Sequence, residues 1–177
     1  MKRNSCLVFM LITGVLAAAG GLAIAAQDRF TLKVPNGPAF AEFKGYETWQ
    51  PVAVSRTETS QKIIAANPAM IEAYRKGLPV AGKAFPEGSK IVKIEWSEKK
   101  SSESPYFVMV PDALKSVSFI EKDSKRFAKS GGWGYAQFHY DGASKTFTPF
   151  GNDAACGYAC HTAVKAKDYI FTAYPPR

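Results

Sequence analysis

Between residues 46 and 150 the sequence falls into short apolar runs joined by connections most of which are too brief for a crossover helix. Parallel strands need a connection of about a dozen residues or more, whereas antiparallel neighbours need only a turn. The fold class that follows is α+β, a single domain built mainly on an antiparallel sheet with a few short helices. The runs predict strands over 46–55, 61–66, 89–96, 106–110, 117–120, 133–140 and 145–150, with a further strand-like run at 169–174. Alternation across 89–96 sets Val92, Ile94 and Trp96 on one face and Ile91, Lys93 and Glu95 on the other. Lys90 joins the first of these faces.

The punctuation fits the same plan. Asn67-Pro68 supplies an N-cap and a proline for the first helical position, Met70, Ile71 and Tyr74 share a helical face, and Gly77 closes the helix. The polar run 97–104 predicts a turn or exposed loop. Residues 123–128 predict a helical turn with Phe127 inward, broken by Gly131-Gly132, and Asp141-Gly142 marks a hairpin turn. The stretch 27–45 is punctuated by Pro and Gly and predicts irregular structure.

The N-terminus reads as a targeting segment. Lys2 and Arg3 precede an apolar run from Leu7 to Ala26 that ends in Ala23-Ile24-Ala25, a small-x-small pattern. This predicts a signal peptide over 1–26 and a mature domain over 27–177, exported to the periplasm. An uncleaved anchor is the rival, since the run is about long enough to span a bilayer. Removal takes two of 23 basic residues and none of 15 acidic ones, leaving 21 against 15, a formal charge of +6. Export excludes nucleic acid as the reason for that balance. A net charge far from zero favours solubility, and it also suits docking to an acidic redox partner protein.

Cys156 and Cys160 are the two cysteines of the mature chain, in Cys156-Gly157-Tyr158-Ala159-Cys160-His161. A c-type haem needs two thiols to meet two vinyl groups and an adjacent imidazole to reach the iron, usually as C-x-x-C-H. Here one residue is added, and Gly157 offers backbone freedom to absorb it. A local disulfide is the first alternative in an oxidising compartment. A zinc site is the second, for which the sequence offers only His139 and His161 beside the thiols.

With this motif, the segment Lys122-Asp123-Ser124-Lys125-Arg126-Phe127-Ala128, the aromatic run from Trp133 and the closing Phe171-Thr172, the chain resembles the cytochrome P-460 family, which includes the cytochromes c′-beta. The likeness runs from about Trp49 to Tyr174. It implies a mostly antiparallel β fold, commonly a homodimer, with one covalent haem c. It matches Cys156 and Cys160 to the thioether cysteines and His161 to the axial iron ligand. Lys93 matches the lysine that bonds the porphyrin edge in true P-460 members. Lys62 falls where hydroxylamine-oxidising members carry a distal arginine.

Residue chemistry adds its own reading. A lysine in mid-strand is usually solvated, here beside Glu95, but if its face lines the haem it becomes a desolvated nucleophile. His139 and the methionines Met70 and Met109 are the other candidates for iron ligation, and hydrogen bonding or core packing accounts for each. Asp141 and Glu95 are the default candidates for a catalytic carboxylate. Two functions follow from the resemblance. One is redox chemistry on small nitrogen compounds such as hydroxylamine or nitric oxide, with Lys93 as the catalytic residue. The other is a non-enzymatic nitric oxide or carbon monoxide-binding or electron-transfer cytochrome of the c′-beta type.

Overall fold

The computed structural model describes residues 26–151 and 154–177. The predicted signal peptide, 1–26, lies outside the described residues except for Ala26. A six-stranded sheet in the order β1-β2-β3-β4-β5-β6 forms the body, every neighbour antiparallel. The strands are β1 (Gln50–Arg56), β2 (Ser60–Ala66), β3 (Lys90–Lys100), β4 (Met109–Lys122), β5 (Trp133–Asp141) and β6 (Thr146–Pro149). Two short α-helices join them, α1 (Pro68–Arg75) and α2 (Ala155–His161), with several 3₁₀ turns. The α+β reading and its antiparallel pairing hold.

Helix α1 starts where the sequence marks it. The Asn67 side chain accepts from Met70 N–H at 3.1 Å and from Lys90 N–H at 3.0 Å, tying the helix to β3 as well as capping it. Met70, Ile71 and Tyr74 are buried, and Gly77 takes a φ of +92° just beyond the helix. Phe127 is buried after a turn in which Asp123 Oδ1 accepts from Lys125 and Arg126 N–H.

Several boundaries differ from expectation, and the runs expected at 106–110 and 117–120 merge into the single strand β4, which begins at Met109. Tyr46–Thr48 is a 3₁₀ turn rather than the start of a strand, because it folds the Tyr46 ring inward onto Phe40 and Phe119. Strands β3 and β4 run on through the polar residues expected to form a loop. Paired charges hold that extension, Lys99 to Asp112 at 2.9 Å and Arg56 to Glu98, and the loop shrinks to 101–108. Residues 169–174 form no strand and pass irregularly across the sheet, with Tyr169 and Ile170 buried.

Each face of the sheet carries its own core. Val92, Val117, Phe119, Ala136 and Phe138 pack on one side under Phe40 and Phe43 from the N-terminal segment. The Phe119 ring stacks on Phe43 at 4.2 Å and meets Phe40 edge-on at 5.0 Å. On the other side Ile64, Ala66, Ile91, Trp133 and Tyr135 pack against α1 and the C-terminal tail. This second layer covers only part of its face. Phe119→Ala should therefore cost about 3–5 kcal/mol in urea denaturation of the folded protein; a loss under about 1 kcal/mol would contradict the aromatic layer as the main anchor.

Candidate cofactor cleft

The uncovered part of the second face is a cleft between β2–β5 and α2. One cavity of about 680 Å³ is lined by Ile64, Ile91, Lys93, Ile120, Cys160 and His161 among others. A second of about 270 Å³ shares Lys93, Cys160 and His161 and adds Cys156, Gly157 and Tyr135. The size and the mainly apolar walls suit a flat organic cofactor.

Helix α2 brings the motif to the cleft. Cys156 and Cys160 are one helical turn apart, so the additional residue of spacing sets both thiols on one side of the helix. Both are free and exposed. Gly157 is helical, so its role differs from the expected backbone freedom. A Cβ there would stand 2.6 Å from Tyr135 Cβ, and its absence lets α2 seat closely on β5. Among the described residues no group of three or more His, Cys, Asp or Glu could hold a metal ion, so the zinc alternative finds no ligand set there.

His161 ends α2 with its ring between Tyr135 and Phe171, each about 5.0 Å away by centroid. Its Nδ1 lies 2.6 Å from the Tyr169 carbonyl oxygen. A carbonyl only accepts, so Nδ1 carries the proton and donates, leaving Nε2 with a free lone pair. That is the tautomer a metal-ligating imidazole adopts. Burial lowers the His161 pKa; the bond to Tyr169 opposes the shift, and the charge of Lys93 adds to it.

Lys93 is half-buried in mid-strand, paired in the ladder with Ile64 of β2 and Ser118 of β4. It faces the cleft, and Lys90 faces away toward the Glu42 carbonyl and Glu121. The pairing of Lys93 with Glu95 is not what forms. Glu95 instead lies 3.8 Å from both Lys62 and Lys115, and Lys93 makes no ion pair or hydrogen bond among the described residues. Lys62 sits on the same sheet face one step farther along, at the rim, within 3.4 Å of Thr57 Oγ1. It lines a neighbouring hollow and not the cleft.

The other candidates lie apart. His139 is exposed and stacks on Phe150 at 4.3 Å, Met70 is buried on the inner face of α1, and Met109 begins β4; none lines the cleft. Asp141 caps its own turn by accepting from Ala143 N–H and Ser144 Oγ. Among the described residues no carboxylate lines the cleft. Ser118 Oγ, at the cleft beside Lys93, is buried without a partner among the described residues, a polar atom suited to a bound group. Ser118 and the Tyr169 carbonyl were not legible as site residues, since only strand register and tertiary packing bring them to the cleft.

The lowered His161 pKa makes a sign prediction. An imidazole kept neutral by burial binds fewer protons folded than unfolded, so its contribution is present above the unfolded value of about 6.5 and is lost as pH falls below it. The thermal midpoint of the haem-free chain should drop more between pH 7.5 and pH 5 than that of His161→Gln. Equal drops would contradict a neutral, buried His161.

The sequence comparison agrees with this geometry. The cytochrome P460 family profile matches residues 43–172, a span that holds the sheet, Lys93 and the whole Cys156–His161 motif. No curated protein matches the chain significantly. With most of its length matched, the chain belongs to the cytochrome P460 family and is a haem-binding cytochrome.

Proposed function

We propose that one haem c occupies the cleft of the exported protein, bonded through Cys156 and Cys160, with His161 as the iron ligand, and that the protein carries out redox chemistry on small nitrogen compounds such as hydroxylamine or nitric oxide. The observation that carries this reading is the meeting, in one cleft, of two thiols a helical turn apart, an imidazole with its Nδ1 already tied, and a lysine unpaired among the described residues. When bound, the haem would supply a redox-active iron able to take a small ligand.

The chain's own residues do the rest. Cys156 and Cys160 would hold the haem by adding their S–H groups across its two vinyl C=C bonds, a redox-neutral addition. His161 offers Nε2 while the Tyr169 carbonyl fixes its ring. Ile64, Ile91 and Ile120 keep water from the apolar wall, which strengthens every charge interaction inside. Lys93, which lines the cleft, would in this reading hold the porphyrin edge through its amine. That bond replaces one N–H and one porphyrin C–H and releases two protons and two electrons, so an oxidant of the peroxide class must take them up.

A second reading has its own support. With no carboxylate lining the cleft among the described residues, and Glu95 neutralised by two lysines at the rim, proton transfer from substrate has no evident acceptor there. A nitric oxide or carbon monoxide-binding or electron-transfer cytochrome needs none.

Lys93→Ala separates the two. If the enzyme reading holds, the ferrous wild type has an optical spectrum unlike an ordinary c-type haem, and the variant reverts to the ordinary spectrum and loses hydroxylamine oxidation. An ordinary wild-type spectrum, with Lys93 recovered unmodified in a tryptic map, overturns that reading in favour of gas binding. His139→Ala should leave the spectrum unchanged in either case.

A further inference from the structure

The carbonyl that receives the His161 proton belongs to an unusual piece of backbone. Asp168 and Tyr169 are consecutive non-glycine residues in the left-handed region, with φ of 50° and 64°. Aspartate visits this region with some ease, but a tyrosine there is uncommon and persists only where its surroundings hold it. Strained backbone of this kind concentrates at functional sites, and here it turns the Tyr169 carbonyl back toward α2.

What holds the turn is a buried ion pair. Lys122, at the end of β4 and 5% exposed, donates from Nζ to both carboxylate oxygens of Asp168, at 2.9 and 3.1 Å. Asp168 Oδ2 also accepts from Phe85 N–H at 2.7 Å. The Lys122 ammonium is itself fixed by the Gly131 carbonyl at 3.3 Å and by the Trp133 ring at 5.2 Å. Backbone bonds close the turn from the other side, Asp168 N–H to the Lys165 carbonyl and Tyr169 N–H to the Val164 carbonyl. The Tyr169 ring lies against Gly131, where a Cβ would come within 2.3 Å of it. Every contact orients the same peptide unit.

We infer that Lys122 and Asp168 form a positioning pair for the iron ligand: they lock the Asp168-Tyr169 turn so that its carbonyl accepts from His161 Nδ1 and sets how strongly Nε2 donates. This rests on His161 being the ligand and adds what tunes it. Hydrogen bonding at the far nitrogen fixes an imidazole's orientation and raises its basicity, and ligand basicity is a lever on haem potential. The pair is well suited to the task because a buried ion pair that loses one partner leaves the other uncompensated, so the turn has no cheap alternative arrangement.

The test uses the purified holoprotein, read by the iron–histidine stretch in ferrous resonance Raman and by the reduction potential. In Asp168→Ala the stretch moves to lower frequency and the potential rises, because a weaker donor stabilises ferric iron less. Lys122→Met shifts both in the same direction, and it carries the test if Asp168→Ala does not fold. Asp168→Asn, which tolerates the left-handed turn and still accepts from Phe85 N–H, recovers more than half of the Asp168→Ala shift. Lowered thermal stability with both readouts at wild-type values in Asp168→Ala and Lys122→Met would overturn the inference. His161→Ala distinguishes the two ideas: persistence of the wild-type stretch in that variant removes His161 as the ligand, whatever Asp168 and Lys122 do.

Discussion

A sheet that is buried fully on one face can leave part of the other open, and the layer of phenylalanines around Phe119 makes that division here. Phe40, Phe43, Phe119 and Phe138 are fully buried and joined through ring contacts centred on Phe119, so the sheet is anchored from one side. Buried aromatic area of this kind is the largest apolar contribution a small domain can draw on. The opposite face then needs covering only at its edges, by α1 and by the tail. Between them lies the strip of β3 and β4 that holds Lys93 and Ser118.

Much of this plan was legible in the sequence because it depends on short-range patterns. The period of two in β3 assigned Lys93 and Lys90 to opposite faces, and the Asn67-Pro68 pair located α1 to the residue. Which face held the cleft was not legible, because nothing local says where α2 returns. Gly157 illustrates the gap. Its value lies in a close approach to Tyr135, a residue 22 positions earlier that only packing brings near. The turn at Asp168-Tyr169 was hidden in a similar way. Its aromatic alternation reads as a strand, and the ion pair that forces it left-handed joins residues 46 apart.

The site itself divides its labour among a helix, a strand and a turn. Helix α2 carries thiols and imidazole at fixed spacing, β3 presents a lysine with no competing partner among the described residues, and the Asp168-Tyr169 turn fixes the imidazole's tautomer. Each of these would be weaker on a loop, since positioned chemistry needs supports whose own conformations are locked. The polar rim formed by Lys62, Glu95 and Lys115 satisfies its own charges and leaves the interior apolar.

The central claim is that the cleft holds a haem bonded to both thiols of α2. The most direct measurement is the mass of the purified protein under denaturing conditions, taken after treatment with a thiol-alkylating reagent. The account predicts the processed chain plus one haem, with neither Cys156 nor Cys160 alkylated. A haem-free chain with both cysteines alkylated would contradict it.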